Sequence, residues 1–370
     1  MRILRGGVRR LAAFDPSTLD PAALLGRPEL PTDLSAARRE LGGRRILVTG
    51  AGGSVGVHLA ERLLGLEPER LTLLDHHDHA LFTLKARLDR VALGGPWRLA
   101  LADVRDEARL ARELDAARPH AVFHLAAYKH VPFGEAFPEE TFAVNVLATM
   151  TLLRLAGERG IDRFVYPSSD KAVNPPSLYG ATKRLSEILV QQAARDSGQR
   201  YVIARFVNIL GTRGSAIETF AEQLQSGVPL TVTDERMTRY WISMREATWL
   251  LLQAAAVGSP GGPLMLDARE EVPIVAIVRR VEALLAPGAH QRPMRFTGLR
   301  PGERLREELL SNHESFESGP CAGLLVVRNR RQDQHLVRLP ALLESLTALA
   351  ADADGDRLKT AAMEAARALQ

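Results

Sequence analysis

The stretch RRILVTGAGGSVG, residues 44–56, constrains the fold of this chain more than any other. An apolar run of the kind that makes a buried parallel strand ends at Gly50. Glycines recur at 50, 53 and 56, and SVGVHLAERLLG then takes up helical spacing. In such a strand–turn–helix unit Gly50 permits the tight turn and Gly53 lets a diphosphate approach the backbone. Gly56 lets the helix pack on the strand, and the helix N-terminus, opening with Ser54 and Val55, meets the phosphate charge. Asp75 closes the next apolar run, RLTLLD, about 20 residues on, where a carboxylate accepts bonds from a ribose diol. The expected ligand is a dinucleotide, and NAD rather than NADP, because Asp75 would repel a 2′-phosphate.

Strand and helix patterns then alternate. WRLALADV (97–104), AVFHLAA (121–127), RFVYPSS (163–169) and RYVIARFVNIL (200–210) read as strands, separated by helical patterns that include 138–160 and 177–198. Repeated βα units with short connections predict an α/β fold with a doubly wound parallel sheet. Residues 1–42, with Pro16, Pro21, Pro28 and Pro31, read as an N-terminal arm ending in a short helix at DLSAARREL. The dinucleotide-binding domain is expected over 43–210, with a return segment at about 240–270. The arginine-rich, irregular segments TVTDERMTRYWIS and PMRFTGLRPGERLREELL place a smaller substrate-binding lobe over 211–340, and 341–370 reads as amphipathic helices.

Charge and composition narrow the function. The net charge of +4 comes from arginines spread along the chain, with no basic stripe interleaved with aromatics, so nucleic acid is not an expected partner. The single cysteine, Cys321, excludes an intramolecular disulfide and fits a reducing compartment. No apolar run reaches the ~18 residues of a membrane span. ATWLLLQAAAVG (247–258) reads as a buried helix, the N-terminus lacks a signal-peptide apolar region, and a cytoplasmic location is expected. The run DHHDH (75–79) has neither helical ligand spacing nor a closed zinc set, so no metal is expected.

Lysine usage singles out the chemistry. Only five of 48 basic residues are lysine: Lys85, Lys129, Lys171, Lys183 and Lys359. Arginine is a fixed cation, whereas a lysine ammonium can be tuned and can serve as a base. Tyr179 and Lys183 lie one turn apart on one helix face, so the ammonium is expected to lower the phenol's pKa. Tyr179 thereby becomes a base for a hydroxyl proton. Asp170 and Lys171 stand side by side shortly before this helix, a carboxyl next to one of the few lysines.

The glycine loop with Tyr-x3-Lys resembles the extended short-chain dehydrogenase/reductase superfamily and its Rossmann fold. The stretch SSDKAVNPPSLYGATKR is similar to one branch, the UDP-N-acetylhexosamine 4,6-dehydratases of polysaccharide biosynthesis. AAYKHVP, RFVNILGTRGS, MTRYWIS and GLRPGERLREELL resemble further motifs of that branch. LLGRPEL resembles the linker to a membrane region of longer relatives, a region expected to be absent here. The resemblance implies a soluble homo-oligomer that acts on a UDP-sugar with retained NAD. It implies Tyr179 as base for the C4 hydroxyl, Lys171 as base at C5, Asp170 as acid for the leaving 6-hydroxyl, and Ser169 as holder of O4. By this chemistry Lys171 must be partly neutral and Asp170 protonated. Asp103, Val104, Ala126, Ala127, Tyr128, Tyr179 and Lys183 join the glycines and Asp75 as cofactor residues. Lys129, His130, Asn208, Arg213, Arg239, Arg300 and Glu303 are implied to hold the substrate. Val207 stands where the family usually has glycine, FGEAF (133–137) replaces its usual run, and Glu218 replaces a frequent proline. The alternatives are a UDP-sugar epimerase, a 5,6-dehydratase of the same fold, and a non-catalytic NAD-binding protein.

Overall fold

A computed structural model describes residues 19–370, apart from 261, 269, 289 and 353 and the side chains of 332 and 333. The first 18 residues of the expected arm lie outside the described residues.

The apolar runs become a nine-stranded sheet. Its strands are β1 (Arg45–Thr49), β2 (Arg70–Asp75), β3 (Trp97–Leu101), β4 (Ala121–His124), β5 (Arg163–Ser169), β6 (Arg200–Phe206), β7 (Leu264–Leu266), β8 (Glu314–Ser318) and β9 (Leu324–Asn329). The order is β8-β9-β7-β6-β5-β4-β1-β2-β3. Strands β1 to β7 run parallel, with Ile46 facing Leu71 on one side and Ala121 on the other. Strands β8 and β9 close one edge antiparallel. The order reverses between β1 and β4, and that crevice at the carboxyl ends is where such a sheet takes a ligand.

Three expected strands stop early, at Leu101, His124 and Phe206. There the chain leaves the ladder and turns over the sheet's ligand edge, where Val104, Ala126 and Val207 line cavities and Asn208–Ile209 pair with Trp241–Ile242 instead. The expected lobe is only partly separate, because Glu314–Ser318 and Leu324–Asn329 pair into the main sheet. Its remaining pairings are short, such as Leu230–Val232 with Met294–Phe296.

Helices cover both sheet faces. One core gathers Leu59, Leu63, Leu73, Phe123 and the helix Met244–Val257; the other gathers Leu110, Leu152, Leu185, Ile188 and the C-terminal helix Gly355–Ala368. Helix Met244–Val257 is buried nearly throughout and starts in a capping box of Ser243 and Glu246. Its buried Glu246 accepts bonds from Arg27 Nη1 at 2.7 Å and the Leu30 N–H at 2.8 Å. Trp249 and Gln253 donate to the Asp33 carbonyl. Residues 19–42 are therefore built into the fold: Leu24, Leu25, Leu30 and Leu41 are buried, each worth about 1.5–3 kcal/mol. The last part of the chain forms helices Gln332–Ala351, which contains Pro340, and Gly355–Ala368.

Candidate active site

Two cavities meet above the crevice. The smaller, of about 290 Å³, is lined by Asp75, Asp103, Val104 and Ala126. The larger, of about 700 Å³, is lined by Ser54, Val55, Gly56, Lys129, His130, Ser169, Lys171, Tyr179, Lys183 and Asn208. Gly50, Gly53, Ala127, Tyr128 and Arg213 line both. The cofactor residues expected from sequence thus form one continuous trough.

Backbone shape makes that trough. Gly50 has φ 65°, and a Cβ there would stand 2.6 Å from the Ala126 nitrogen. Only glycine satisfies both the left-handed turn and the approach of the chain after β4. Asp75 accepts bonds from the N–H groups of Gly52 at 2.9 Å and His77 at 3.0 Å, which fixes its carboxylate at the trough's edge. Asp103 grips Arg105, and this pairing holds its carboxyl below the usual carboxylate range. These features fit a dinucleotide: bare backbone at the turn, and a positioned carboxylate beyond the second strand. The histidines of the DHHDH run splay apart, with neighbouring ring centroids more than 6 Å from one another. Among the described residues no group of three or more His, Cys, Asp or Glu could hold a metal.

The reactive end is built where β5 meets the helix Leu178–Ser197. Asp170–Ala172 form one tight turn, packed so closely on the helix that a Cβ at Gly180 would lie 2.1 Å from the Lys171 carbonyl oxygen. Ser169 Oγ donates to Asp170 Oδ1 at 2.9 Å, and Lys171 Nζ donates to the same oxygen at 3.0 Å. Lys171 Nζ is also 3.4 Å from Glu307, which in turn lies 3.3 Å from Arg239. Lys171 reaches the cavity wall. Asp170 does not: its carboxylate is sealed behind Ser169 and Lys171, and its Oδ2 has no partner among the described residues.

The electrostatics differ from the sequence expectation. Burial works against the Lys171 ammonium, but Asp170 and Glu307 outweigh it and hold the group above the ordinary lysine value. Lys171 is therefore charged, not partly neutral. Burial pushes the Tyr179 phenol up, opposed by the Lys171 ammonium and a bond with the Ser169 hydroxyl. Lys183 does not supply that effect. It donates to the Pro167 carbonyl at 2.9 Å and sits 4.6 Å above the Tyr166 ring. Burial lowers the Lys183 ammonium to about 7.

The expected substrate residues separate into two groups. Lys129, His130, Asn208 and Arg213 line the large cavity. Arg213 lies across the glycine loop, bonded to the Gly52 carbonyl and, through its N–H, to Ser54 Oγ at 3.0 Å; Lys129 donates to its carbonyl at 2.7 Å. Arg239, Arg300 and Glu303 line neither cavity. Arg239 is buried with its fork spent on the carbonyls of Thr238, Arg304 and Leu305 and on Glu307, so it braces the site's wall. The Arg300 N–H donates to Glu303 in an exposed turn whose Gly302 approaches Ser177.

Two residues of the site escaped the sequence reading. Glu307 is unmarked among the acids of REELL, and the one signal available was an acid closing an arginine-rich stretch. Asn145 lies in a wide π turn, Ala143–Leu147. Its amide bonds both the Tyr128 N–H at 2.8 Å and the Tyr128 carbonyl at 3.0 Å, and reaches Thr182 at 3.1 Å. A lone Asn inside the apolar run FAVNVLATM was the signal.

The family profile of polysaccharide biosynthesis proteins matches residues 46–328 of this chain. The chain belongs to that family, within the extended short-chain dehydrogenases/reductases. It is 38% identical to the capsular polysaccharide biosynthesis protein CapD of Staphylococcus aureus over 294 residues, which are 79% of this chain and 49% of CapD. The chain thus spans about half the length of that relative. It is 31% identical to an inverting UDP-N-acetylglucosamine 4,6-dehydratase of Campylobacter jejuni, covering 74% of this chain and 79% of the relative. A UDP-glucose 4-epimerase of Rickettsia rickettsii is 30% identical, covering 73% and 79%. Among solved structures, the dTDP-glucose 4,6-dehydratase DesIV of Streptomyces venezuelae with NAD bound superposes with a TM-score of 0.64 at 26% identity, covering 72% of this chain and 88% of DesIV. Among the described residues no helix is long and apolar enough to cross a membrane.

Proposed function

We propose that this chain is an NAD-dependent 4,6-dehydratase of a UDP-N-acetylhexosamine, with UDP-N-acetylglucosamine as the first candidate substrate. The product is the 4-keto-6-deoxy sugar. The observation that carries the reading is the Asp170–Lys171 pair beside Tyr179 and Ser169 at one end of a dinucleotide trough. An epimerase needs the phenol and the cofactor but has no use for a second acid–base pair.

The glycine loop, Asp75, Asp103, Val104, Ala126, Ala127, Tyr128 and Lys183 would hold NAD, which when bound supplies a hydride acceptor that also returns the hydride. The carboxylate of Asp75 disfavours the 2′-phosphate of NADP. Tyr179 takes the C4 hydroxyl proton, helped by the Lys171 ammonium and the Ser169 hydroxyl. Once C4 is a ketone, the C5 proton is acidic enough for an amine.

The ion pair at 3.0 Å is one proton transfer away from the reactive form. Moving that proton from Lys171 to Asp170 yields a neutral amine and a carboxylic acid together. A substrate that expels water from the cavity favours the uncharged pair. Lys171 then removes the C5 proton. Asp170 passes its own proton to the leaving 6-hydroxyl through Ser169 Oγ, 2.9 Å from Oδ1. The C6–O bond breaks, water leaves, and the pair is back in its charged state. C6 would then take back the hydride held by the cofactor as a proton from solvent returns to C5, and Tyr179 releases the C4 hydroxyl proton to solvent.

The test is incubation with a panel of UDP- and dTDP-sugars in deuterium oxide, read by mass and NMR. The reading predicts loss of one water and deuterium at C5 from UDP-N-acetylglucosamine. An isomer of unchanged mass would identify an epimerase instead. Loss of water with C4 still reduced would identify a 5,6-dehydratase, and unchanged sugars beside firmly bound NAD a non-catalytic protein.

A further inference from the structure

Lys359, like the surface lysine Lys85, is not used by the site, and it leads to a part of the chain beyond the residues that the family profile matches. It lies in the C-terminal helix Gly355–Ala368, which packs along the Tyr179 helix through Leu358, Ala362, Ala365 and Ala366. Three polar contacts tie this element to the chain segments that carry the reactive groups.

The first is at the start of the Tyr179 helix. Lys359 Nζ pairs with Glu135 at 2.5 Å, and the other oxygen of Glu135 accepts the Leu178 N–H at 2.9 Å. The second is one turn past Tyr179, where Arg184 Nε donates to the Leu369 carbonyl at 2.8 Å. The third is on the Asp170–Ala172 turn itself. The Gln370 amide nitrogen donates to the Ala172 carbonyl at 3.2 Å, and its oxygen accepts the Asn174 N–H at 3.2 Å. The clasp spans the exit of the turn, where Asn174 is held at φ 41°, a left-handed conformation that a free chain seldom adopts. A primary amide presents a donor and an acceptor side by side, so it can bridge a carbonyl and an N–H two residues apart.

We infer that Gln370 is a positioning residue: its side chain clasps the Asp170–Lys171 turn and keeps it registered against the Tyr179 helix. Gln370 lines neither cavity, so it acts through the turn and not on substrate. The C-terminal helix stays docked by its buried apolar face without the amide, which separates positioning from folding. The catalytic part of this inference rests on the dehydratase reading; the structural part does not.

The test compares the full chain with Gln370→Ala and Gln370→Glu. Glutamate keeps the acceptor for Asn174 and loses the donor to Ala172. A loosened turn misplaces Lys171 and Asp170 but leaves Tyr179 in place, and a misplacement of that order costs about tenfold or more in rate. Gln370→Ala is therefore expected to lower kcat about tenfold with KM unchanged. During turnover it should accumulate reduced cofactor, seen at the NADH absorbance, because C4 oxidation outruns elimination. Gln370→Glu should fall between. Amide hydrogen exchange reads the same clasp without turnover: Val173 and Asn174 should exchange faster in Gln370→Ala, with the helix Leu178–Ser197 unchanged. Unaltered exchange at the turn, or equal slowing of oxidation and elimination, would overturn the inference. Failure of the dehydratase reading would appear separately, as no water loss by the parent chain, and the exchange result would still decide whether Gln370 holds the turn.

Discussion

The two halves of the cleft are made in different ways. The half under the glycine loop is written in backbone: Gly50, Gly53 and the chain after β4 shape it, and its one decisive side chain, Asp75, ends the adjacent strand. The half at β5 is written in side chains gathered from far apart, with Lys171 facing Glu307, and Gln370 bridging to Asn174 across 196 residues of sequence. A backbone site tolerates no added atom at its turn. A side-chain site tolerates substitution of its supports but changes its chemistry when they go.

Three experiments can break or sharpen that contrast. The largest effect is expected from Gly50→Ala. Its Cβ would meet the Ala126 backbone at 2.6 Å in a left-handed conformation, so the variant should lose about 2–4 kcal/mol of stability and its NAD binding together. Melting curves and NAD titration check this, and an unaffected variant would mean the loop is not built as described. Next comes Asp75→Ala. In its proposed place at a ribose diol, loss of this carboxylate should weaken NAD by about tenfold or more, with NADP weakened less, so the preference narrows. Calorimetry with both dinucleotides reads it.

The subtlest is Glu307→Gln, which should change the pH profile more than the fold. In the proposed mechanism the Asp170–Lys171 pair works with one shared proton, so activity should fall at high pH where that proton is lost. Glu307 helps hold the Lys171 ammonium above its ordinary value. Removing that negative charge lowers the lysine pKa, and the descending limb moves to lower pH. A limb that stays put, or moves upward, would remove Glu307 from the account.

The same contrast explains what the sequence revealed. Local rules exposed the backbone half: an apolar run, a glycine spacing and an acid at the next strand end need no partner from elsewhere. They also exposed the buried helix Met244–Val257 and the helix that carries Tyr179. Strand β8 is not legible because ESFES, polar on the open edge of the sheet, lacks the continuous apolar run of a central strand, whereas β9, LLVVRN, does carry such a run but pairs antiparallel outside the βα alternation. The charge state of Lys171 was misread because it depends on Glu307, whose approach follows from tertiary packing alone. Arg239 has the setting of a ligand fork in sequence, but its donors go to backbone carbonyls and Glu307, partners that only tertiary packing supplies.

The central claim is that Lys171 removes the C5 proton while Tyr179 serves C4. The most direct measurement is a single turnover of Lys171→Met with UDP-N-acetylglucosamine in deuterium oxide, following cofactor absorbance, water loss and C5 exchange together. The account predicts that the cofactor is still reduced, slowed by loss of the ammonium near Tyr179, while water loss and deuterium at C5 disappear. Water loss at the parent rate would contradict it.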